Sequence, residues 1–265
     1  MPEIYRLTGL RKSFANKNER IQILNGIDLS IEEKEFVCIM GNSGCGKSTL
    51  IKIMEGILPG DEGSILFDGA TPGSQVSKEM QRKFGIVFQS DNLLEWLSVY
   101  KNVELPLRVF GKKNKNENRK KVMDALTLVG LQDYSDCLPR ELSGGMRQRT
   151  SIARALVSDP AMLMLDQPFG ALDAITRKAL NAELLRIWHT TQKTCVMITN
   201  NENEALLLGG RVLVMSNPPA KIIHEINVPL TYEERISGIA LNPAYLKLRA
   251  ELASIVRSLG NTLQS

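Results

Sequence analysis

The feature that most constrains this fold is a glycine-rich loop, residues 41–48, which reads Gly-Asn-Ser-Gly-Cys-Gly-Lys-Ser. It matches the pattern G-x-x-x-x-G-K-S, in which glycines allow a tight turn whose backbone N–H groups surround a phosphate. The apolar run Phe36–Met40 precedes the loop, and residues 49–54 continue as a helix-like segment. Because the pattern requires a strand before it and a helix after it, we expect an α/β fold that binds phosphate here.

The residue types within the loop suit this chemistry. Glycine at three positions lets the backbone curl, and Lys47 adds a compact positive charge. Ser48 can offer its hydroxyl to Mg²⁺, and a helix that begins at Thr49 would favour an anion at its N-terminus. The residues predicted to bind the phosphates are Gly41, Asn42, Ser43, Gly44, Cys45, Gly46, Lys47, Ser48 and Thr49.

Length and composition narrow the class of protein. A chain of 265 residues with 43% apolar content can form one large domain, or a domain with a subdomain. The net charge of +4 is too small to indicate nucleic-acid binding by itself. The four cysteines lack metal-finger spacing, which favours reduced thiols in a cytosolic protein. The N-terminus lacks an export signal and no apolar run reaches about 18 residues, so we expect neither export nor a membrane span.

Short β-rich runs alternate with helix-like segments along the chain. Near-continuous apolar strands separated by helices indicate a parallel sheet that is covered on both faces. The predicted strands are Phe36–Met40, Ile65–Phe67, Gly85–Phe88, Met162–Leu165, Cys195–Thr199 and Val212–Met215.

The stretch between Gln89 and Leu142 has few strand formers and is predicted to be a helical insertion. One amphipathic helix is indicated by the spacing of Val122, Ala125, Leu126 and Val129. The basic run 112–121 could contact acidic headgroups or nucleic acid, but it contains no aromatic residue to stack on a base. A solvated loop that leads into a helix is the favoured interpretation.

A second amphipathic helix is predicted at the C-terminus. Its apolar residues, at helical spacing, are Tyr245, Leu248, Leu252, Ile255, Val256 and Leu259.

Taken in order, these motifs resemble the ATP-binding subunits of ATP-binding-cassette (ABC) transporters, from about residue 5 to about residue 225. Leu142–Met146, Leu-Ser-Gly-Gly-Met, resembles the family signature, which contacts the nucleotide bound to the opposite subunit. The resemblance implies a P-loop NTPase fold with a parallel-sheet core, an N-terminal antiparallel β part and a helical subdomain at about 90–145. It also implies an ABC ATPase domain over residues 1–230, followed by a C-terminal helical extension over 231–265.

The same resemblance implies ATP and Mg²⁺ as ligands. Expected partners are a second ABC ATPase subunit, which is either identical or diverged, membrane permease subunits and, indirectly, a solute-binding protein. Nucleic acid is not expected as a partner. The chain would then lie at the cytoplasmic face of the inner membrane as a peripheral subunit.

Several site residues follow from matching the family's motifs. Phe14 matches the aromatic that stacks on adenine, although alone it could equally be a core residue. Gln89 matches the glutamine that senses Mg²⁺ and the membrane partner, and Asp173 matches the loop that crosses the dimer interface. Asp166 ends a predicted strand and would help hold Mg²⁺. The signature residues that would contact the opposing nucleotide are Ser143, Gly144, Gly145 and Met146.

Gln167 departs from the family pattern, because the family places there the glutamate that polarises the attacking water. An amide can position water by hydrogen bonding but cannot act as a general base. We therefore expect ATP binding with very slow hydrolysis. The intact sequence around Gln167 favours an engineered isosteric change over a naturally degenerate site.

Asn200 is a second departure, since it follows Thr199 where the family usually has a histidine. Its amide could donate to a γ-phosphate, or it could merely cap the next helix. Thr-Asn at this point resembles nitrate and bicarbonate importers more than taurine or sulfonate importers, whereas Asn201 replaces an aspartate usual in that group. The alternatives are an ABC ATPase with no transport role and a nucleotide-gated regulatory subunit.

Overall fold

The computed structural model describes residues 1–16, 19–69, 78–110 and 114–261. Its strands are β1 (Glu3–Asn16), β2 (Glu19–Glu32), β3 (Phe36–Met40), β4 (Glu62–Phe67), β5 (Phe84–Val87), β6 (Met162–Asp166), β7 (Thr194–Ile198), β8 (Arg211–Met215) and β9 (Ile222–Asn227). Its α-helices are α1 (Lys47–Met54), α2 (Lys78–Arg82), α3 (Val99–Phe110), α4 (Lys115–Leu128), α5 (Gly144–Leu156), α6 (Ala174–Thr191), α7 (Glu202–Leu208), α8 (Tyr232–Ile236) and α9 (Pro243–Asn261). The chain divides into two compact units, one of residues 1–77 with 194–265 and the other of residues 78–193.

The first unit contains an antiparallel sheet ordered β2-β1-β4. Glu3 of β1 lies opposite Glu32 of β2, and Tyr5 of β1 lies opposite Phe67 of β4. The prediction that Ile65–Phe67 belongs to the parallel sheet is therefore wrong. A three-residue apolar run looks the same in either sheet, since its neighbouring strand is fixed by distant parts of the chain.

The first unit also contains a row of strands ordered β7-β3-β8-β9. β3 is parallel to both β7 and β8, whereas β9 pairs with β8 in the antiparallel direction at the edge. All five residues of Phe36–Met40 are buried, as are all five of Thr194–Ile198. This complete burial explains why both segments are continuous apolar runs rather than alternating ones. The observed strand begins and ends one residue before the predicted Cys195–Thr199.

The second unit contains the parallel pair β5 and β6, with Phe84 opposite Met162. β5 ends one residue before the predicted Phe88, which lies outside the strand and is 39% exposed. The predicted helical character of the region after Gln89 is confirmed by α3 and α4. The four apolar residues used to predict α4 are buried, with Val129 at its C-cap: Val122, Ala125, Leu126 and Val129.

The predicted C-terminal helix is α9, in which Tyr245, Leu252 and Leu259 are buried. In the basic run, residues 115–121 form the mostly exposed first turns of α4, and the Lys121 ammonium pairs with Glu117 at 2.7 Å. Lys112 and Lys113 lie outside the described residues. The structure thus has the expected α/β architecture, with parallel strands, an antiparallel β part and helices. The division at residue 230 stays a prediction.

Candidate functional site

The glycine-rich loop has the backbone geometry that a phosphate cradle requires. Gly41, Gly44 and Gly46 have φ angles of 156°, 78° and 109°, which residues with side chains rarely adopt. Space is also limiting at Gly46, because a Cβ there would lie 2.8 Å from the Cγ2 atom of Ile23. Glycine is therefore required at this position for two independent reasons.

Helix α1 begins at Lys47, two residues before the predicted start at Thr49. Its N-cap residue, Gly46, has no side chain to occupy the first N–H groups of the helix. A helix N-terminus whose cap residue makes no side-chain hydrogen bond, together with the positive end of the helix dipole, favours an anion. The loop and the start of α1 therefore have the properties of a phosphate site.

Lys47 is buried, with 4% of its surface exposed, and its Nζ lies against the loop. It donates hydrogen bonds to the carbonyl oxygens of Gly41, at 2.7 Å, and Asn42, at 2.8 Å. The loop carbonyls thereby hold the ammonium group beside the loop's backbone. Ser48 is the next residue and is partly exposed on the first turn of α1.

Phe14 lies on β1 with 41% of its surface exposed, so it is not a core residue. The Nζ atom of Lys12 is 5.6 Å from the centre of its ring, within range of a cation–π interaction. Lys12 in turn donates to the Asp61 carboxylate at 2.7 Å, and the backbone N–H of Ser13 donates to the same carboxylate at 2.8 Å. Phe14 is thus an exposed ring on a strand that a buried lysine and an aspartate fix in place.

Asp166 and Gln167 lie at the end of β6, and both are partly buried. Gln167 has a φ of 48°, the left-handed conformation that non-glycine residues seldom adopt. Its carbonyl oxygen accepts a hydrogen bond from the N–H of Gly170 at 3.0 Å. A Cβ on Gly170 would lie 3.6 Å from Nε2 of Gln89 and 3.8 Å from Cβ of Gln167. The structure therefore brings both predicted glutamines to one glycine.

The predicted signature residues begin helix α5. The Ser143 hydroxyl accepts from the N–H of Met146 at 3.3 Å and so caps the helix. A Cβ on Gly145 would lie 3.2 Å from Cγ2 of Thr176, and the adjacent Gly144 is similarly close to Leu172. The small size of these glycines lets α5 approach the start of α6 closely.

Asp173 is exposed and caps helix α6. Its Oδ1 accepts hydrogen bonds from the N–H groups of Ile175 and Thr176, both at 3.0 Å. The pKa of Asp173 lies below its usual value, chiefly because the Thr176 side chain and backbone donate hydrogen bonds to the carboxylate. Since Gly145 lies against Thr176, the signature segment and Asp173 share one corner of this unit.

The alternative interpretation of Asn200 as a helix cap is wrong. The N-cap of α7 is Asn201, whose Oδ1 accepts from the N–H groups of Asn203, at 2.9 Å, and Glu204, at 3.2 Å. Asn200 is exposed, between Asn201 and the end of β7. Thr199 is buried, and its hydroxyl donates to the Glu204 carboxylate at 2.6 Å. These bonds fix the backbone on both sides of Asn200.

The predicted site residues thus fall into two groups, one in each unit. The first unit carries Phe14, residues 41–49 and Asn200. The second unit carries Gln89, residues 143–146, Asp166, Gln167 and Asp173.

Comparison with known proteins identifies the family. Residues 24–170 match the family described as ABC transporter. The chain belongs to the ABC transporter family. It is 39% identical to the taurine import ATP-binding protein TauB of Rhizobium johnstonii over 92% of each chain, and 38% identical to the nitrate import ATP-binding protein NrtD of Synechococcus elongatus over 91% of this chain and 86% of NrtD.

A solved structure agrees with this assignment. The dimeric post-hydrolysis state of the ATP-binding cassette MJ0796, bound to ADP and Pi, has a TM-score of 0.75 and 32% identity to this chain. The similarity covers 86% of this chain and all of the cassette. The chain is therefore an ABC ATPase subunit, and ATP is its ligand.

Sequence reasoning missed some residues that shape this ABC ATPase site. Lys12 stands two residues before Phe14, and alternation along a strand could have placed both on one side of β1. Asp91, which binds an arginine of the signature helix, had no signal in the sequence.

The structure also bears on the predicted Mg²⁺ ligands and on whether a helix could span a membrane. Among the described residues, the structure shows no cluster of three or more His, Cys, Asp or Glu side chains placed to hold a metal. Mg²⁺ typically keeps several waters and uses one or two protein oxygens besides phosphate, so Ser48 and Asp166 are chemically suitable donors. Each helix in the described part of the chain is too short or too polar to span a membrane.

Proposed function

We propose that this chain is the ATP-hydrolysing subunit of an importer for a small anion of the nitrate or nitrite kind. It would act on a separate membrane permease from the cytoplasmic face of the plasma membrane, together with a second ABC ATPase subunit and a solute-binding protein. The observation that carries this proposal is an intact glycine-rich loop, residues 41–48, which we call the phosphate loop. It occurs in a chain that is similar over about nine-tenths of its length to import ATP-binding proteins.

The class of substrate, a small anion, has more support than the choice of nitrate within that class. Thr199-Asn200 resembles the motif of nitrate and bicarbonate importers, and Asn200 has an exposed amide that can donate to a phosphate oxygen. The identities of 39% to a taurine import protein and 38% to a nitrate import protein do not separate these substrates. The proposal of nitrate therefore rests on the motif.

In the proposed mechanism, Lys47 and the N–H groups of the glycine-rich loop hold the phosphates of ATP, while Phe14 stacks on adenine. Ser48, Gln89 and Asp166 would hold Mg²⁺, which neutralises charge that develops on the phosphates. Ser143 and Gly145 of the second subunit would complete the cage, with Met146 beside them and Asp173 at the dimer interface. Catalysis is then positioning plus charge stabilisation, and hydrolysis releases the closed dimer.

Gln167 would make this form of the subunit hydrolyse ATP slowly. The amide has nearly the shape of a glutamate side chain and can still donate to or accept from water, but it cannot take a proton from it. Binding of ATP and Mg²⁺ does not depend on that proton transfer. We therefore propose an ATP-bound, long-lived closed state.

The proposal is tested by reconstituting the chain, as Gln167→Glu, with its permease and solute-binding protein in vesicles. ATP hydrolysis is measured with nitrate, nitrite, bicarbonate, cyanate or taurine supplied to the binding protein. Stimulation by nitrate or nitrite is the expected result. Stimulation by taurine alone would support the importer function but reject nitrate and nitrite as the substrates. Association with ribosomes or DNA in place of a permease would reject the transport function.

A second candidate function, a nucleotide-gated regulatory subunit, is favoured by one observation. Gln167 stands where a general base is needed, and in the second unit it lies beside Gly170, as Gln89 does. If ATP binds tightly and the Gln167→Glu form also lacks hydrolysis within the assembled complex, the regulatory role replaces the transport role.

A further inference from the structure

The side chain of Asn42, the second residue of the phosphate loop, is bound to residues from the C-terminal part of the chain. Its Nδ2 atom donates to Oδ1 of Asn217 at 2.8 Å and to the carbonyl oxygen of Leu259 at 3.2 Å. Nδ2 of Asn217 donates to the same Leu259 carbonyl at 3.1 Å. Three residues far apart in the sequence thus form a closed set of hydrogen bonds.

The Leu259 carbonyl is an acceptor that needs such donors. It lies in the last turn of α9, which ends at Asn261, and the last four carbonyls of a helix have no partner within the helix. The negative end of the helix dipole also favours N–H donors there. The amides of Asn42 and Asn217 therefore cap α9, and α9 in turn fixes the position of both amides.

Asn217 belongs to a turn that is itself well held. The N–H of Ser216 donates to the carbonyl oxygen of Lys221 at 2.9 Å, and the N–H of Lys221 donates to the Ser216 hydroxyl at 3.0 Å. This turn directly follows β8, and a Cβ on Gly41 would lie 3.0 Å from the carbonyl oxygen of Met215 at the end of that strand. The phosphate loop therefore rests on the end of β8 and on the turn that follows it.

Helix α9 is also fixed along the rest of its length, so it can serve as a support. Asn242 caps its start by accepting from the N–H of Ala244 at 2.9 Å. The Tyr245 hydroxyl donates to Oδ1 of Asn203 in α7 at 2.8 Å. Leu252, in the middle of the helix, is completely buried. The end of α9 is thereby held at a defined place relative to the phosphate loop.

Asn42 also contacts the lysine of the phosphate loop. Its own carbonyl oxygen accepts from Nζ of Lys47 at 2.8 Å, so one residue links the phosphate-binding lysine to the C-terminal helix. We propose that Asn217 is a positioning residue for the phosphate loop, with α9 as its support. Loss of Asn217 removes its bond to Asn42 and leaves the Leu259 carbonyl as the one C-terminal acceptor that holds the Asn42 amide. The loop around Asn42 is then less firmly placed, and ordering it on ATP binding costs affinity. This inference rests on the proposed function only in that the loop binds the phosphates of ATP.

The test measures affinity and turnover separately. The dissociation constant of trinitrophenyl-ATP is measured by fluorescence in the unaltered chain and in Asn217→Ala, and KM and kcat for ATP are measured in the Gln167→Glu background. Asn217→Ala removes the acceptor for the Asn42 amide and one of the two donors to the Leu259 carbonyl, so the dissociation constant and KM are expected to rise about tenfold while kcat is unchanged. The control, Asn227→Ala, removes an exposed asparagine of β9 and should change neither constant.

Two further variants keep the result interpretable if Asn217→Ala folds poorly. Asn217→Asp retains the acceptor for Asn42 but sets a carboxylate oxygen against the Leu259 carbonyl, so affinity should again fall. A chain that ends at Ser258 lacks the Leu259 carbonyl and should also lose affinity. Asn217→Ala should cost less in the truncated chain than in the full chain, because its bond to Leu259 is already absent and its bond to Asn42 is the one left to lose.

The outcomes separate this inference from the proposed function. If Asn217→Ala binds trinitrophenyl-ATP as tightly as the unaltered chain, or lowers kcat at unchanged KM through a smaller active fraction, the positioning role is refuted and the ATPase proposal stands. If the unaltered chain binds no nucleotide, both fall. Because linkage is reciprocal, Mg-ATP should also slow amide hydrogen exchange in residues 243–259, and unchanged exchange there would count against the coupling.

Discussion

Arg147 binds Asp91 through two hydrogen bonds, from Nε to Oδ2 at 2.8 Å and from Nη2 to Oδ1 at 3.2 Å. Arg147 follows the signature residues on α5, and Asp91 lies two residues after Gln89. Burial alone would raise the pKa of Asp91, but hydrogen bonds from Arg147 and from the N–H of Leu93 hold this pKa below its usual value. Arg154 adds a bond to the Asp91 carbonyl at 2.7 Å. Two arginines of the signature helix therefore hold the segment that carries Gln89.

This ion pair should contribute measurably to stability. Each partner is 23% exposed, so Arg147→Met is expected to lower the free energy of unfolding by about 1–2 kcal/mol. The control is Lys121→Met, which removes an ion pair with Glu117 that is roughly half exposed and should therefore cost clearly less stability. Urea unfolding of both variants gives the comparison, and equal decreases in the free energy of unfolding would contradict the stabilising role of the Arg147–Asp91 pair.

Phe14 should contribute to ATP affinity but not to turnover. Base stacking on an aromatic ring is worth about 1–3 kcal/mol, so Phe14→Ala is expected to raise KM for ATP about tenfold, while Phe14→Tyr keeps it. Tyr134→Ala serves as the control, since Tyr134 is a similarly exposed aromatic residue of the other unit. Steady-state kinetics in the Gln167→Glu background provides the measurement. An unchanged KM in Phe14→Ala would remove Phe14 from the site.

The parts of this site that depend on local sequence could be predicted, and those that depend on distant contacts could not. The glycine-rich loop could be recognised because its strand, turn and helix are contiguous in the sequence. Gly46 and Lys47, which the loop's geometry requires, belong to the same short pattern. Nothing near Asn42 indicates a bond to Leu259, which is 217 positions away. Asn200 and Asn201 have the same side chain, so only backbone geometry reveals which one caps α7.

The pairing of strands shows the same limit. Phe36–Met40 was predicted with its exact bounds because all five side chains are buried and apolar. Ile65–Phe67 is the end of a longer strand whose first residues are exposed, so only the apolar part was visible in the sequence. Its partner, β1, is more than 45 residues earlier in the chain, and hydrophobic periodicity carries no information about such pairing.

Asp61 predicts a pH dependence of stability. Hydrogen bonds from Lys12, from the N–H of Ser13 and from Arg20 lower its pKa from 3.8 to about 2. A carboxylate whose pKa is lower in the folded state stabilises the fold above its unfolded pKa, near 4, and loses this contribution as the pH falls toward 2. Asp61→Asn should therefore reduce stability at pH 6 and make little difference at pH 2. Thermal unfolding of both proteins across this range tests it, and a difference that persists at pH 2 would contradict the assignment.

Replacing Gln167 by glutamate should restore hydrolysis. The backbone φ of 48° is already set at this residue, and glutamate has the same shape, so the change should leave the fold and the affinity for ATP unaltered. A carboxylate can accept the proton of the attacking water, an effect worth about 10²–10⁴ in rate. In the complex with its membrane partner, Gln167→Glu is expected to hydrolyse ATP at least about 100-fold faster than the unaltered chain, whereas Gln167→Ala stays slow. Equal rates for glutamine and glutamate would mean that a group other than residue 167 limits hydrolysis.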